Sequence, residues 1–236
     1  MQRAFVLLTA ALLTVGLAAC APGTPDAAPT ATGLSSEQAE RLAVSRFRNF
    51  DAGVRSVTVE IPGTTSGTLE VTGWFDYAAV AGYASVTVDG DPAGLIWWSH
   101  DTIATRSGEV DAALPAPVDE WQSGPLDASS TPLANALALV AALGADRPEN
   151  PQLLAQSDAL FLRDDEVDGG KVEVFAGPSS DEAGADSTPL ENRSHYWVDA
   201  TGLLLRFDAP NGSADRMSVN FGDGAGTTIP TAVPGT

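Results

Sequence analysis

Lysine is almost missing from this chain of 236 residues: Lys171 stands alone, and 12 basic side chains face 31 carboxylates for a formal net charge of −19. A protein that grips nucleic acid neutralises phosphates with a basic face, and a chain this acidic has none to offer. Adhesion to anionic head groups by charge is disfavoured on the same ground. Cysteine is equally scarce. Cys20 is the only one, so no disulfide framework can form within the chain. The only two histidines, His100 and His195, lie far apart, and there is no Gly-x-Ser-x-Gly, His-Glu-x-x-His or Ser-x-x-Lys motif. With no visible nucleophile–base pair, a non-enzymatic protein that needs no cofactor and no metal is expected.

Long apolar runs are also lacking after the first twenty residues. The run over 4–19 falls short of the roughly 20 residues that a spanning helix needs, and it ends in Cys-Ala-Pro-Gly rather than a basic flank. Its parts are instead in secretory order. Arg3 is the positive start, 4–13 is apolar except for Thr9, and Leu17-Ala18-Ala19 supplies small residues before a cut. Leu17-Ala18-Ala19-Cys20 resembles the lipobox of bacterial lipoproteins. The resemblance implies cleavage before Cys20, a diacylglyceryl group and palmitate-type acylation on its thiol, and a lipid anchor on the outer face of the cell membrane. Two or three acyl chains hold a protein there firmly, whereas one does so only marginally. The wealth of arginine over lysine matches a high-GC, actinobacterial genome.

Residues 1–19 therefore read as a signal peptide, 20–33 as the lipidated cysteine and a flexible Ala/Pro/Thr/Gly tether, and 34–236 as one domain. Ser35 and Gln38 form a capping-box pattern, and Ala39, Leu42, Ala43, Phe47 and Phe50 share one face, predicting an amphipathic helix over 36–50. The period then changes to two. Val57, Val59 and Ile61, then Leu69, Val71, Phe75 and Tyr77, then Val86 and Val88, alternate with polar residues, and a hairpin follows over 95–106. Residues 115–130 read as a connection. Thr131-Pro132 opens a helix over 133–145 with no charge and Asn135 as its only polar side chain, so it must be buried on more than one side. A short helix near 151–157 and strands at 159–164, 171–175, 194–199, 203–208 and 216–221 complete the order. A polar loop spans 177–191. The expected class is α+β: a single strongly curved antiparallel sheet, an incomplete β-barrel of about 10–11 strands, with helices packed on its concave face.

Other residues could carry chemistry but have plainer readings. His100 and His195 suit half-exposed turn and strand positions. Asp164-Asp165-Glu166-Val167-Asp168-Gly169 lacks the alternating ligands of a calcium loop and reads as a solvated hairpin end. The sequons at Asn192 and Asn211 read as turns.

Gly73-Trp74-Phe75-Asp76-Tyr77 and Tyr196-Trp197-Val198-Asp199-Ala200-Thr201-Gly202-Leu203, set in this order of elements, resemble the mycobacterial LppX/LprG lipoprotein family of the LolA-like superfamily, over roughly 54–221. The resemblance implies an incomplete barrel whose concave side holds acyl chains, in proteins that carry lipids or lipidated molecules within the envelope. By strand parity and helix face, the lining residues of such a cavity would be Val57, Val59, Leu69, Val71, Phe75, Val86, Val88, Leu137, Val140 and Leu143, which could equally form a solid core. The expected partners are a lipid or acylated ligand and the membrane through the anchor, with no nucleic acid. The rival expectation is an RseB-like sensor or scaffold that binds an envelope protein partner.

Overall fold

The computed structural model describes residues 30–108, 112–179, 189–211 and 215–235. The signal segment, Cys20, most of the tether, the centre of the 177–191 loop and part of the Asn211 sequon lie outside the described residues. Twelve strands form one antiparallel sheet that does not close: β1 (Thr32–Gly33), β2 (Val54–Thr64), β3 (Gly67–Asp76), β4 (Ala81–Val88), β5 (Asp91–Trp98), β6 (Thr102–Arg106), β7 (Gln122–Pro125), β8 (Leu160–Val167), β9 (Gly170–Ala176), β10 (His195–Asp199), β11 (Leu204–Pro210) and β12 (Arg216–Asp223). Their order is β1-β8-β9-β10-β11-β12-β2-β3-β4-β5-β6-β7. Two meanders therefore meet at a seam where β12 pairs with β2, Val219 opposite Val59.

Two of the twelve strands fall where the sequence placed none, and both are short edge pieces. β1 turns the end of the supposed tether into a strand against Leu160 and Phe161 of β8. β7 turns part of the 115–130 connection into a strand against β6. Neither has an alternating run long enough to register as periodicity. β2 runs through Pro62-Gly63 to Thr64 by a register shift and reverses beyond it.

Among the described residues four α-helices accompany the sheet: α1 (Ser36–Ala43), α2 (Ser45–Ala52), α3 (Pro132–Ala142) and α4 (Pro151–Gln156). The capping box forms as expected, Ser35 accepting from the Gln38 amide and Gln38 from the Ser35 amide. The single helix expected over 36–50 is instead broken at Val44. There the tip of the β10–β11 hairpin comes so close that a Cβ on Gly202 would collide with the Val44 side chain. Gly202 has φ +85°, so it serves both the turn and the contact. Thr131 caps α3 through the Ala134 amide, and Pro132 begins it.

The helices lie on the concave face. Ala39, Leu42 and Ala43 of α1, Ala136, Leu137 and Val140 of α3 with its C-cap Leu143, and Leu154 of α4 join the inward side chains of the strands in one core. Among the described residues no helix is long and apolar enough to cross a membrane.

Candidate functional site

Directly opposed residues form an apolar row across eight strands of the concave face: Phe161, Phe175, Tyr196, Phe207, Val219, Val59, Val71 and Val86. The register, rather than any one strand, makes this stripe, since a one-residue slip would turn each of these side chains outward. Aromatics supply the β8–β11 half, with Tyr196 edge-on to Phe207 at 5.1 Å. Valines supply the half beneath α3.

Of the ten residues expected to line a cavity, Val57, Val59, Val71, Phe75, Leu137, Val140 and Leu143 are buried members of the core, and Leu69 and Val86 pack half-buried against it. Val88, opposite Leu69 at the end of β4, is half-buried outside that cluster. α3 supplies the cover, and every residue from Leu133 to Ala141 is at least partly buried. A small opening of about 130 Å³ lies between the β4–β6 strands and the start of α3, bounded by Val86, Gly94, Ile96 and Leu133 among others.

The opposite end of this face is polar, and sequence reading missed it. Arg55 shares the inward parity of Val57 and Val59, yet it is buried. Its Nε donates to Gly222 O (2.9 Å), Nη1 to Asn49 Oδ1 (2.9 Å) and Nη2 to Leu204 O (3.4 Å), and its guanidinium lies 5.4 Å from the Phe221 ring. Burial lowers its pKa, an effect opposed by Tyr77, Asp223 and Asp199. Asn49 in turn donates to Leu143 O at 3.0 Å, and Arg46 Nε to Ala142 O at 2.9 Å. Side chains of α2 thus cap the carbonyl end of α3, where a cation also complements the helix dipole. A charged residue at a strand start gives no pattern signal, so only its parity could have revealed Arg55.

Register sets Arg55, Phe75, Gly82 and Trp98 side by side across β2 to β5. Because Gly82 has no side chain, the Trp98 indole occupies its place; a Cβ there would collide with the ring. Trp98 thus comes within 5.5 Å of Phe75, and Tyr77 lies 4.8 Å from the same ring. Tyr77 Oη and Trp98 Nε1 are buried without a hydrogen-bond partner.

The other singled-out residues take plainer places. Asp165 accepts from Trp197 Nε1 at 3.0 Å, and that bond, the Glu166 amide and Arg163 hold its pKa below the usual carboxylate value. Asp168 and Gly169 turn the β8–β9 hairpin, and among the described residues no cluster of metal-ligating side chains is assembled. A wide cleft of about 730 Å³ opens beside this hairpin, lined by Arg41, Lys171, Glu173 and the acidic end of β8; Arg41 pairs with Glu173 within it. His100 is an exposed turn residue, and His195 starts β10, its ring nitrogen 3.1 Å from Leu190 O. Asp199 accepts from the Thr201 and Leu203 amides, so the Trp-x-Asp-x-Thr-Gly-Leu segment is a turn that seats α1.

No family model matches the chain, and no curated protein is similar to it at a significant level. Among solved structures it is similar to the Mycobacterium tuberculosis lipoprotein LppX, at 15% identity and a TM-score of 0.41 over 74% of this chain and 89% of that one. It is also similar to a DUF1329 family protein from Desulfovibrio piger, at 14% identity and a TM-score of 0.33 over 82% and 95% respectively. Neither likeness assigns the chain to a family.

Proposed function

We propose that this protein is a lipoprotein, anchored through Cys20 on the extracytoplasmic face of the cell membrane, that binds acyl chains of a lipid or acylated molecule on its concave face and carries them in the envelope. The observation behind this reading is the apolar row across eight strands, faced by the uncharged helix α3 and open at Val86, Ile96 and Leu133. The opening alone, at about 130 Å³, is smaller than the several hundred Å³ of a ligand pocket. In this reading Leu137 and Val140 therefore occupy the place of the cargo, and α3 lifts when a chain enters. The driving force is burial, roughly 0.8 kcal/mol per methylene. No bond is made or broken, so no nucleophile is required.

The test is to purify the protein from its native membrane, look for bound lipid by native mass spectrometry, and titrate a fluorescent fatty-acyl probe. Co-purified lipid and saturable probe uptake are expected; neither bound lipid nor uptake would overturn the reading.

A second reading, an RseB-like sensor or scaffold, draws on the charged cleft beside β8–β9, whose Arg41, Lys171 and Glu173 suit a polar segment of an envelope protein. A stoichiometric membrane partner whose capture survives Val59→Asn but is lost on Lys171→Glu would favour it.

A further inference from the structure

The concave face carries two donors that the fold itself leaves unused. Hydrogen bonding accounts for nearly all buried polar groups in native proteins, and a buried donor without an acceptor is costly to the fold. Tyr77 Oη and Trp98 Nε1 both stand in that position, flanking the same ring, Phe75. The third such atom among the described residues, Arg216 Nε, differs, because both other nitrogens of its guanidinium bond to backbone carbonyls. The neighbouring indoles show that this sheet can satisfy a buried tryptophan. Trp97 Nε1 donates to Pro230 O at 2.9 Å, and Trp197 Nε1 to Asp165 at 3.0 Å.

Position adds a second observation. Val86 and Ile96 bound the apolar opening, and Trp98 lies two residues beyond Ile96 on the same side of β5. From the Val86–Gly94 pair to the Gly82–Trp98 pair is four residues of strand, roughly 13 Å. The inward residues between them are Ala84 and, opposite it on β5, Ile96, with Gly73 facing Ala84 from β3. A chain that entered at the opening, took the place of α3 over Ile96 and followed the strands would bring its leading end to the two donors. Burial pushes the Tyr77 phenol well above its usual pKa, so it keeps its proton and remains a donor.

Resting on the acyl-binding reading above, we infer that the cargo enters head first and that its head bears an accepting oxygen, the carboxyl or ester oxygen of an acyl group, which Tyr77 Oη–H and Trp98 Nε1–H bind. The site thereby distinguishes an oxygen-headed chain from a bare hydrocarbon of equal length.

The experiment titrates the full chain with pyrene-labelled hexadecanoic acid, its methyl ester, and a pyrene-labelled hydrocarbon of the same length. Native protein is expected to bind the acid or the ester at least tenfold more tightly than the hydrocarbon. Tyr77→Phe and Trp98→Phe would each remove about fivefold of that preference while leaving the hydrocarbon's affinity in place. Which of acid and ester binds more tightly tells a free fatty acid from an esterified lipid. Independently of any variant, the indole N–H proton resonance of Trp98 in the native chain is expected to move downfield with the oxygen-headed probe and to stay in place with the hydrocarbon. Equal binding of all three probes, or an unmoved Trp98 resonance in the loaded protein, would overturn this inference and leave acyl binding standing. Failure to bind any probe would overturn both.

Discussion

On its concave side the sheet is covered by helices and shares one continuous core. On its convex side it carries two separate apolar patches, each covered by something less regular. One patch, Tyr83, Leu95, Trp97 and Ala104, lies under the 112–121 segment and the C-terminal tail through Trp121, Ile229 and Val233. The other, Val172, Val174 and Trp197, is roofed by charge, with Arg206 4.9 Å and Arg163 5.8 Å from the Trp197 ring. On the convex side three aromatic tips are tied down: Tyr83 Oη to Ala113 O, Trp97 to Pro230 O, Trp121 to Pro117 O. On the concave side the larger and drier surface is the one that leaves Tyr77 and Trp98 untied. The difference separates packing that finishes a fold from packing that can be exchanged. The convex patches are closed by directional bonds. Apart from the Arg55–Asn49 network, the concave core is held chiefly by apolar contact, and it is this contact that the proposed acyl cargo would replace.

The contrast is largest for truncations in the core. Phe75→Ala is expected to cost about 3–5 kcal/mol and Leu205→Ala on the convex face about 1 kcal/mol, read from urea midpoints at constant slope. Equal losses would erase the distinction between the faces.

Asn49→Ala strips a hydrogen bond from the buried Arg55 and from the end of α3, for about 2–3 kcal/mol. Faster amide exchange along α3 than along β2 would show that the helix, rather than the sheet, is what loosens.

A pair of tryptophan variants then compares the faces directly. Trp97→Phe loses its bond to Pro230 O, about 1 kcal/mol, and frees the 224–235 tail to proteolysis. Trp98→Phe loses no bond in the unloaded protein, so its thermal midpoint should fall less. A larger drop for Trp98 would place its donor in the resting fold.

The smallest effect belongs to His195 on the convex face, whose pKa is lowered by burial first and by Arg216 second. A base with a depressed folded pKa contributes stability that is full above its unfolded value of about 6.5 and is lost as pH falls through the folded one. Because His195 is partly exposed, the loss should stay below about 1 kcal/mol and disappear in His195→Gln, measured by unfolding at pH 7.5 and in steps downward.

Much of this was legible in the residues. Ser35 with Gln38 and Thr131 with Pro132 mark helix starts by local chemistry, and the alternation from Val57 to Val88 names the buried face. What escaped was set at long range. β1 and β7 are strands only because β8 and β6 offer them edges, and the break at Val44 sits where Gly202, more than 150 residues away, packs against it. Arg55 was hidden because a charge at a strand start ordinarily faces water; here parity turns it inward and three acceptors receive it. Likewise, Tyr77 and Trp98 read as core aromatics, and only the geometry shows that their polar tips are unused.

The seam between β12 and β2 has a consequence for how the chain is made. Each meander can assemble from neighbours in sequence, but the middle of the sheet joins the second strand to the last, so it closes only after residue 223 is present. Until then β2 presents an open edge with Val57, Val59 and Ile61 on one side, an invitation to pair with another chain. Pairing across so long a stretch also makes for slow folding. A chain that emerges N-terminus first must therefore keep its central strand out of trouble while more than 150 residues follow. Arg55 and Glu60 on that strand and the heavy negative charge of the chain supply repulsion that serves this interval before they serve the finished fold.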